Sequence, residues 1–171
     1  MSSGNISQEA NVLFQDNLNI TDIDPEGKRF DRVSRLVARS TNYDLDIILD
    51  FNSEIYPLQA GEKIFFVLAS SLSLEPEKKK EKNPNDKKER VSWRERAPGE
   101  RDISDEFEYV MYGKVYRYDD STTGAGTAAV ASGQKVSVNI SFGGMLCSME
   151  GDYRPLQNLV VGDNVYLLIR K

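Results

Sequence analysis

Apolar and polar residues alternate one for one in short runs along much of this chain, the period expected of strands with one buried and one wet face. The cleanest run covers 135–142, where Val136, Val138, Ile140 and Phe142 alternate with Ser137, Asn139 and Ser141. Residues 44–51 repeat the pattern, with Leu45, Ile47, Leu49 and Phe51 on one side and Asp44, Asp46 and Asp50 on the other. A slip of one residue would bury the aspartates, so the register of that strand is strongly specified.

Other runs are apolar on both sides, at 64–69, 107–118 and 165–169, and read as central strands with both faces covered. In the second of them Tyr109, Met111 and Val115 share one face while Val110, Tyr112, Tyr116 and Tyr118 share the other, a density of aromatics that favours strand over helix. Gly143-Gly144 separates the run ending at Phe142 from another at 145–149, a spacing suited to a tight hairpin. Only 154–160, around Pro155, invites a short helical turn. No repeat at a fixed period is evident. The expectation is an all-β chain of sandwich or barrel type.

Length and composition refine this into domains. At 171 residues the chain is long enough for about one ordinary domain with a real core. The stretch 75–105 breaks the pattern: it lacks apolar periodicity and is rich in Lys, Glu, Asn and Pro, a composition that cannot offset its ordering entropy. The reading is therefore a flexible N-terminus at 1–10 and a single β-barrel domain at 11–171, interrupted by a mobile loop at 75–105. Trp93 stands alone in that polar setting and is a candidate to dock on the body or on a partner. That stretch holds ten of the 22 basic and nine of the 27 acidic residues. The remaining body is acidic and repels phosphates, which disfavours a protein whose whole surface binds DNA.

The chemistry available is narrow. The chain has no histidine, so Ser-His-Asp and Cys-His sites are excluded, and its single cysteine, Cys147, supports neither an intramolecular disulfide nor a structural zinc site. No apolar window approaches a membrane span and residues 1–15 lack the form of a secretion signal, so neither secretion nor a membrane location is expected. Without such a signal the three sequons at Asn5, Asn19 and Asn139 are chance matches. Residues 124–129 fit G-x-G-x-x-A, but the segment after them is too short for a crossover helix and reads as a hairpin loop. The acidic pairs Asp119-Asp120 and Asp44/Asp46 fall on wet faces or turns, where solvation is the default.

One cluster invites a functional reading. Lys28, Arg29, Arg32, Arg35 and Arg39 gather five of the twelve basic residues outside 75–105, with Phe30 and Tyr43 nearby to stack bases, the combination a single-strand-binding barrel needs. The competing reading is that these arginines face an acidic protein surface or solubilise an edge strand.

The C-terminal block carries more specific strings: EYVMYG at 108–113, SFGG at 141–144, MEGDYRPLQNL at 149–159 and NVYLLIRK at 164–171. Upstream, ILDFNSEIYPL at 48–58, FVLASSL at 66–72 and SWRERAPGERDISDEFEY at 92–109 follow in the same order. Together they resemble the eighth-subunit family, the common subunit of RNA polymerases I, II and III, over about 13–171.

The resemblance implies an antiparallel barrel related to two OB-fold halves, with a long disordered loop insertion. It also implies a nuclear protein, nucleolus included, docked mainly on the largest polymerase subunit and contributing no catalytic residue, cofactor or small-molecule site. A weak, sequence-independent affinity for single-stranded DNA is associated with the family's segment matching 24–49, which contains the basic cluster. The chain departs from the family pattern at 78–90, which is longer and more charged, and at 121–132, which is rich in glycine and alanine. If the protein is an assembly subunit, Tyr112, Tyr116, Tyr153 and Tyr166, with Trp93, are candidate anchors, since aromatics dominate interface energetics. The alternative for each tyrosine is a place in the barrel core.

Overall fold

The computed structural model describes residues 11–72, 99, 101–120 and 135–171. The strands are β1 (Val12–Ile23), β2 (Val33–Ser40), β3 (Leu45–Asn52), β4 (Lys63–Ala69), β5 (Tyr109–Asp120), β6 (Lys135–Phe142), β7 (Met145–Asp152) and β8 (Asn164–Arg170). A 3-10 turn, Ile103–Glu106, precedes β5, and one helical turn, α1 (Tyr153–Leu156), follows β7. Every ladder is antiparallel, and the strands close into a ring in the order β1-β2-β3-β7-β6-β5-β8-β4. Closure leaves the ring without an edge strand.

The alternation read from the sequence points inward as expected. Leu45, Ile47, Leu49 and Phe51 of β3 and Val136, Val138, Ile140 and Phe142 of β6 all lie in one interior cluster. Each such side chain contributes roughly 1.5–3 kcal/mol through burial. The Gly143-Gly144 hairpin forms with both glycines at positive φ, 64° and 102°, pairing Phe142 with Met145.

Two halves with the same pairing pattern build the ring, matching the two-half barrel that the family resemblance implied. β1 pairs with β2 and β4, as β5 pairs with β6 and β8; β3-β7 and β4-β8 join the halves. Each long first strand changes partner midway. β1 does so near Leu18 and Asn19, and β5 at Lys114, which pairs with both Asn164 and Ser141. Each also carries a bulge in its second ladder, between Ile20 and Asp22 and between Val115 and Arg117. At the β5 crossing the strands approach closely: a Cβ on Gly113 would sit 2.3 Å from the Ser141 carbonyl oxygen. The connectors cap the interior in parallel fashion. Tyr56 and Leu58, after β3, are buried with Tyr56 stacked 5.4 Å from Tyr109, while Leu156 and Leu159, after β7, enter the same core.

Three expectations change. The β5 bulge resets the alternation, so Tyr118 packs against the interior cluster while Val110, Tyr112 and Tyr116 point outward and are exposed. Covering of the doubly apolar strands is divided: Val67 and Ala69 of β4 and Tyr166 and Leu168 of β8 form an outer cluster with Ile103, packed by Val12, Phe65, Leu72 and Phe107, whereas the outer face of β5 is left open. The chain itself therefore covers the outer faces of β4 and β8. At the end of the stretch expected to be mobile, Asp102 and Asp105 form a capping box on the 3-10 turn, which seats Ile103 on the β4-β8 wall. Residues 75–98 and 100, Trp93 among them, the glycine-rich segment at 124–129 and residues 1–10 lie outside the described residues. The helical turn starts at Tyr153, one residue before the expected span, with Pro155 inside it. Among the described residues no helix is long and apolar enough to cross a membrane.

Candidate interaction surfaces

β2 and β3 form a hairpin whose outer face carries the basic cluster, and its register decides what those side chains meet. Arg35 lies opposite Asp50 and Arg39 opposite Asp46. Arg35 makes a two-pronged contact, Nε to Oδ1 at 2.7 Å and a terminal nitrogen to Oδ2 at 3.1 Å, while the same Asp50 accepts the Leu146 backbone N–H at 3.1 Å. The Asp50 side chain is only 13% exposed. Its hydrogen bond holds the Arg35 guanidinium above its ordinary pKa.

Arg39 reaches Asp44 at 2.7 Å and Asp46 at 3.0 Å. Lys135 of β6 contacts Asp44 and Asp152, extending the chain of charges across the sheet. The Lys135 hydrogen bond lowers the Asp44 pKa and raises that of Lys135. In the preceding loop Arg29 pairs with Glu26, and Arg32 pairs with Glu54 after β3. The four arginines of the cluster thus each face a carboxylate of this chain; Lys28 is exposed beside them. Carboxylates in those positions compete with any phosphate.

The β2-β3 turn is held by a buried polar knot. Asp16, 3% exposed on β1, accepts from the Ser40 hydroxyl and the Asn42 side-chain amide, while Ser40 Oγ accepts the Tyr43 backbone N–H at 2.9 Å. Tyr43 then lies against Phe14, ring centroids 6.2 Å apart.

The second surface is the outer face of β5. Val110, Tyr112 and Tyr116 are exposed there, and Tyr112 is tilted against Tyr166 at 4.8 Å. Through the pairs Val110↔Leu168 and Tyr112↔Tyr166 this row continues the covered outer cluster into solvent. The loop before β8, hydrogen-bonded to Val115 through Asp163 and Gly162, adds exposed Val160 and Val161. Of the tyrosines picked out as anchors, Tyr112 and Tyr116 share this surface. Tyr153 is exposed at α1, and Tyr166 is buried at 7%, beneath the cover of the β4-β8 wall rather than free. Val110 was placed on this face by the strand alternation, whereas Val160 and Val161, in a loop, carry no periodic signal that would reveal their exposure.

Among the described residues no cluster of His, Cys, Asp and Glu has the form of a metal site. Cys147 is buried, and desolvation pushes its thiol up to about 12. A thiolate nucleophile is disfavoured there.

A closed antiparallel barrel whose arginine cluster is paired with its own carboxylates and whose β5 outer face is exposed defines a small all-β module. The family comparison specifies which one. This chain belongs to the RNA polymerase Rpb8 family, whose model matches residues 15–171. It is similar to the Dictyostelium discoideum protein named "DNA-directed RNA polymerases I, II, and III subunit rpabc3", 38% identical over 94% of this chain and 97% of that protein. It is also 36% identical to the Saccharomyces cerevisiae subunit RPABC3 of the same three polymerases, over 95% of this chain and 99% of that one. An Arabidopsis thaliana relative, 30% identical over 94% of this chain and 96% of its own length, is named subunit 8B of RNA polymerases II, IV and V.

Proposed function

We propose that this chain is a non-catalytic assembly subunit shared by RNA polymerases I, II and III in the nucleus, docking on the largest subunit through the outer face of β5. The observation that carries the reading is the open row Val110, Tyr112 and Tyr116, an apolar strip continuous with a wall that the chain otherwise covers. Exposed aromatics beside covered apolar surface are the material of interface hot spots. The relatives' names as polymerase subunits support the assembly assignment. An autonomous single-strand-binding module draws less support, because Arg32, Arg35 and Arg39 already face Glu54, Asp50 and Asp44/Asp46.

The test is affinity purification of the tagged full chain and of a Tyr112→Ser, Tyr116→Ser variant. The wild type should recover the large polymerase subunits. The variant, with an unchanged urea midpoint, should recover about tenfold less, corresponding to the loss of roughly 1.4 kcal/mol of binding. Equal recovery by the variant would reject the β5 face, and wild-type recovery without any polymerase subunit would reject the assembly role.

A further inference from the structure

The loop between β1 and β2 lies beside the outer face of the β2-β3 hairpin, and between them is a half-open cavity of about 210 Å³. Its floor is apolar, made by Val33, Val37 and Ile48; Phe30 stands at its wall, and Arg35 with Asp50 closes one side. Phe30 is 66% exposed, which leaves its ring accessible at the mouth. The β5 reading makes no use of this feature, which lies on the opposite half of the ring.

Size narrows the occupant. Small-molecule and cofactor pockets run from roughly 300 to 1,000 Å³. This one is smaller and suits a single large side chain. Chemistry narrows it further. The paired hydrogen bonds to Asp50 use two N–H groups of the Arg35 guanidinium, so its edge is committed while its planar face can take a ring. The lining holds three carboxylates, Asp24, Glu26 and Asp50, against two guanidiniums, Arg29 and Arg35. That balance repels a phosphate-bearing ligand and favours an uncharged ring with a basic neighbour. Glu26 can meet that neighbour, since its pair with Arg29 is exposed on both sides and such pairs are worth little.

We propose that this cavity is a docking socket for one aromatic side chain, with a basic residue beside it, on a segment of a protein partner. The ring lies on Val33, Val37 and Ile48 between Phe30 and the face of Arg35. Preorganisation favours the socket: Asp50 is held by the Leu146 N–H, and Asp24 accepts the Arg35 backbone N–H at 2.9 Å, which fixes the root of the loop.

The experiment is a nuclear magnetic resonance titration of the labelled full chain with N-acetyl-tryptophanamide and, separately, with thymidine 5′-monophosphate. Saturable shifts confined to the amides around Phe30, Val33, Val37 and Ile48 are expected for the tryptophan probe only. Val37→Glu, on the outward face, should weaken them at least about tenfold. Should that variant lose its fold, Phe30→Ala in the exposed loop gives the same readout. Shifts that are absent, scattered over the barrel, or larger with the nucleotide overturn the proposal.

The second arm rests on the assembly reading. A photo-crosslinker at position 30 of the chain in an assembled polymerase should label a protein segment bearing an aromatic residue. Labelling of nucleic acid, or of no other subunit, counts against the socket. Tyr112→Ser with Tyr116→Ser should leave the tryptophan titration unchanged, so a failed β5 face and a failed socket give different results.

Discussion

Lys171 is tied to the barrel by contacts that reach back along the sequence as far as Tyr56. The Tyr56 hydroxyl donates to the Glu108 carboxylate, which also accepts the Lys171 backbone N–H at 3.2 Å. The Lys171 ammonium reaches Glu62 and the Pro57 carbonyl, both at 3.3 Å, and lies 5.8 Å from the centre of the Tyr56 ring. The Tyr56 hydrogen bond lowers the Glu108 pKa, and burial, followed by the bond to Glu108, raises that of Tyr56.

These two shifts act at opposite ends of the pH scale. A lowered carboxylate binds fewer protons when folded, so its contribution is present above the ordinary carboxylate range and disappears as pH falls through the folded value. A raised phenol contributes below its ordinary pKa of about 10 and the contribution is lost as pH rises beyond it. Urea unfolding across pH should therefore show Glu108→Gln less stable than wild type near neutrality and converging with it in acid. Tyr56→Phe should converge with wild type in strong alkali. A constant gap at all pH values would contradict this account. None of the network was legible beforehand, because its hydrogen-bonded partners are separated by 52 to 114 positions and no local pattern links them.

At the scale of the element, the β2-β3 hairpin shows what a count of basic residues leaves out. Reading Arg35 and Arg39 by themselves suggested a nucleic-acid surface; reading them across the hairpin, opposite Asp50 and Asp46, gives cross-strand ion pairs. The aspartate alternation of β3 was evident in the sequence. The partner strand was not, since β2 alternates small and charged residues and β1 places Asp16 among its inward positions. That aspartate is the buried receptor for the Ser40 and Asn42 side chains, and its need is visible only after the turn is built.

The two ion pairs differ in exposure. Double-mutant cycles to alanine should give a coupling of about 1 kcal/mol for Arg35-Asp50 and about 0.3 kcal/mol for Arg39-Asp46, since exposed pairs are screened and two-pronged contacts are better ordered. Equal couplings would show that the lower exposure of Asp50 contributes nothing.

For the molecule as a whole, strand content and inward alternation were readable because β3, β4, β6 and β8 keep strict period two or continuous apolar runs. The doubling was not readable, because the halves share pairing order and bulge position but no recurring residues. Nor was the covering of the β4-β8 wall by Ile103, which lies in a stretch whose composition is that of a loop. Each half depends on the other through the β3-β7 and β4-β8 ladders. Residues 11–72 and 101–171 expressed separately should be unfolded by circular dichroism and gain β signal on mixing. A half that folds alone would show that closure is dispensable.

The ring also has a meaning for chain connectivity. The passage from β4 to β5 occupies the same place in one half as the missing passage from β8 back to β1 in the other. Val12 lies opposite Ala69 and Arg170 opposite Phe65, so a bridging linker must run the length of β4, about 14 Å at strand spacing. A circular permutant with such a linker, opened between Leu72 and Arg101, should retain every ladder, which its circular dichroism spectrum would check. Which strand the ribosome makes first is then a matter of history, and the barrel can be begun at either of two doors.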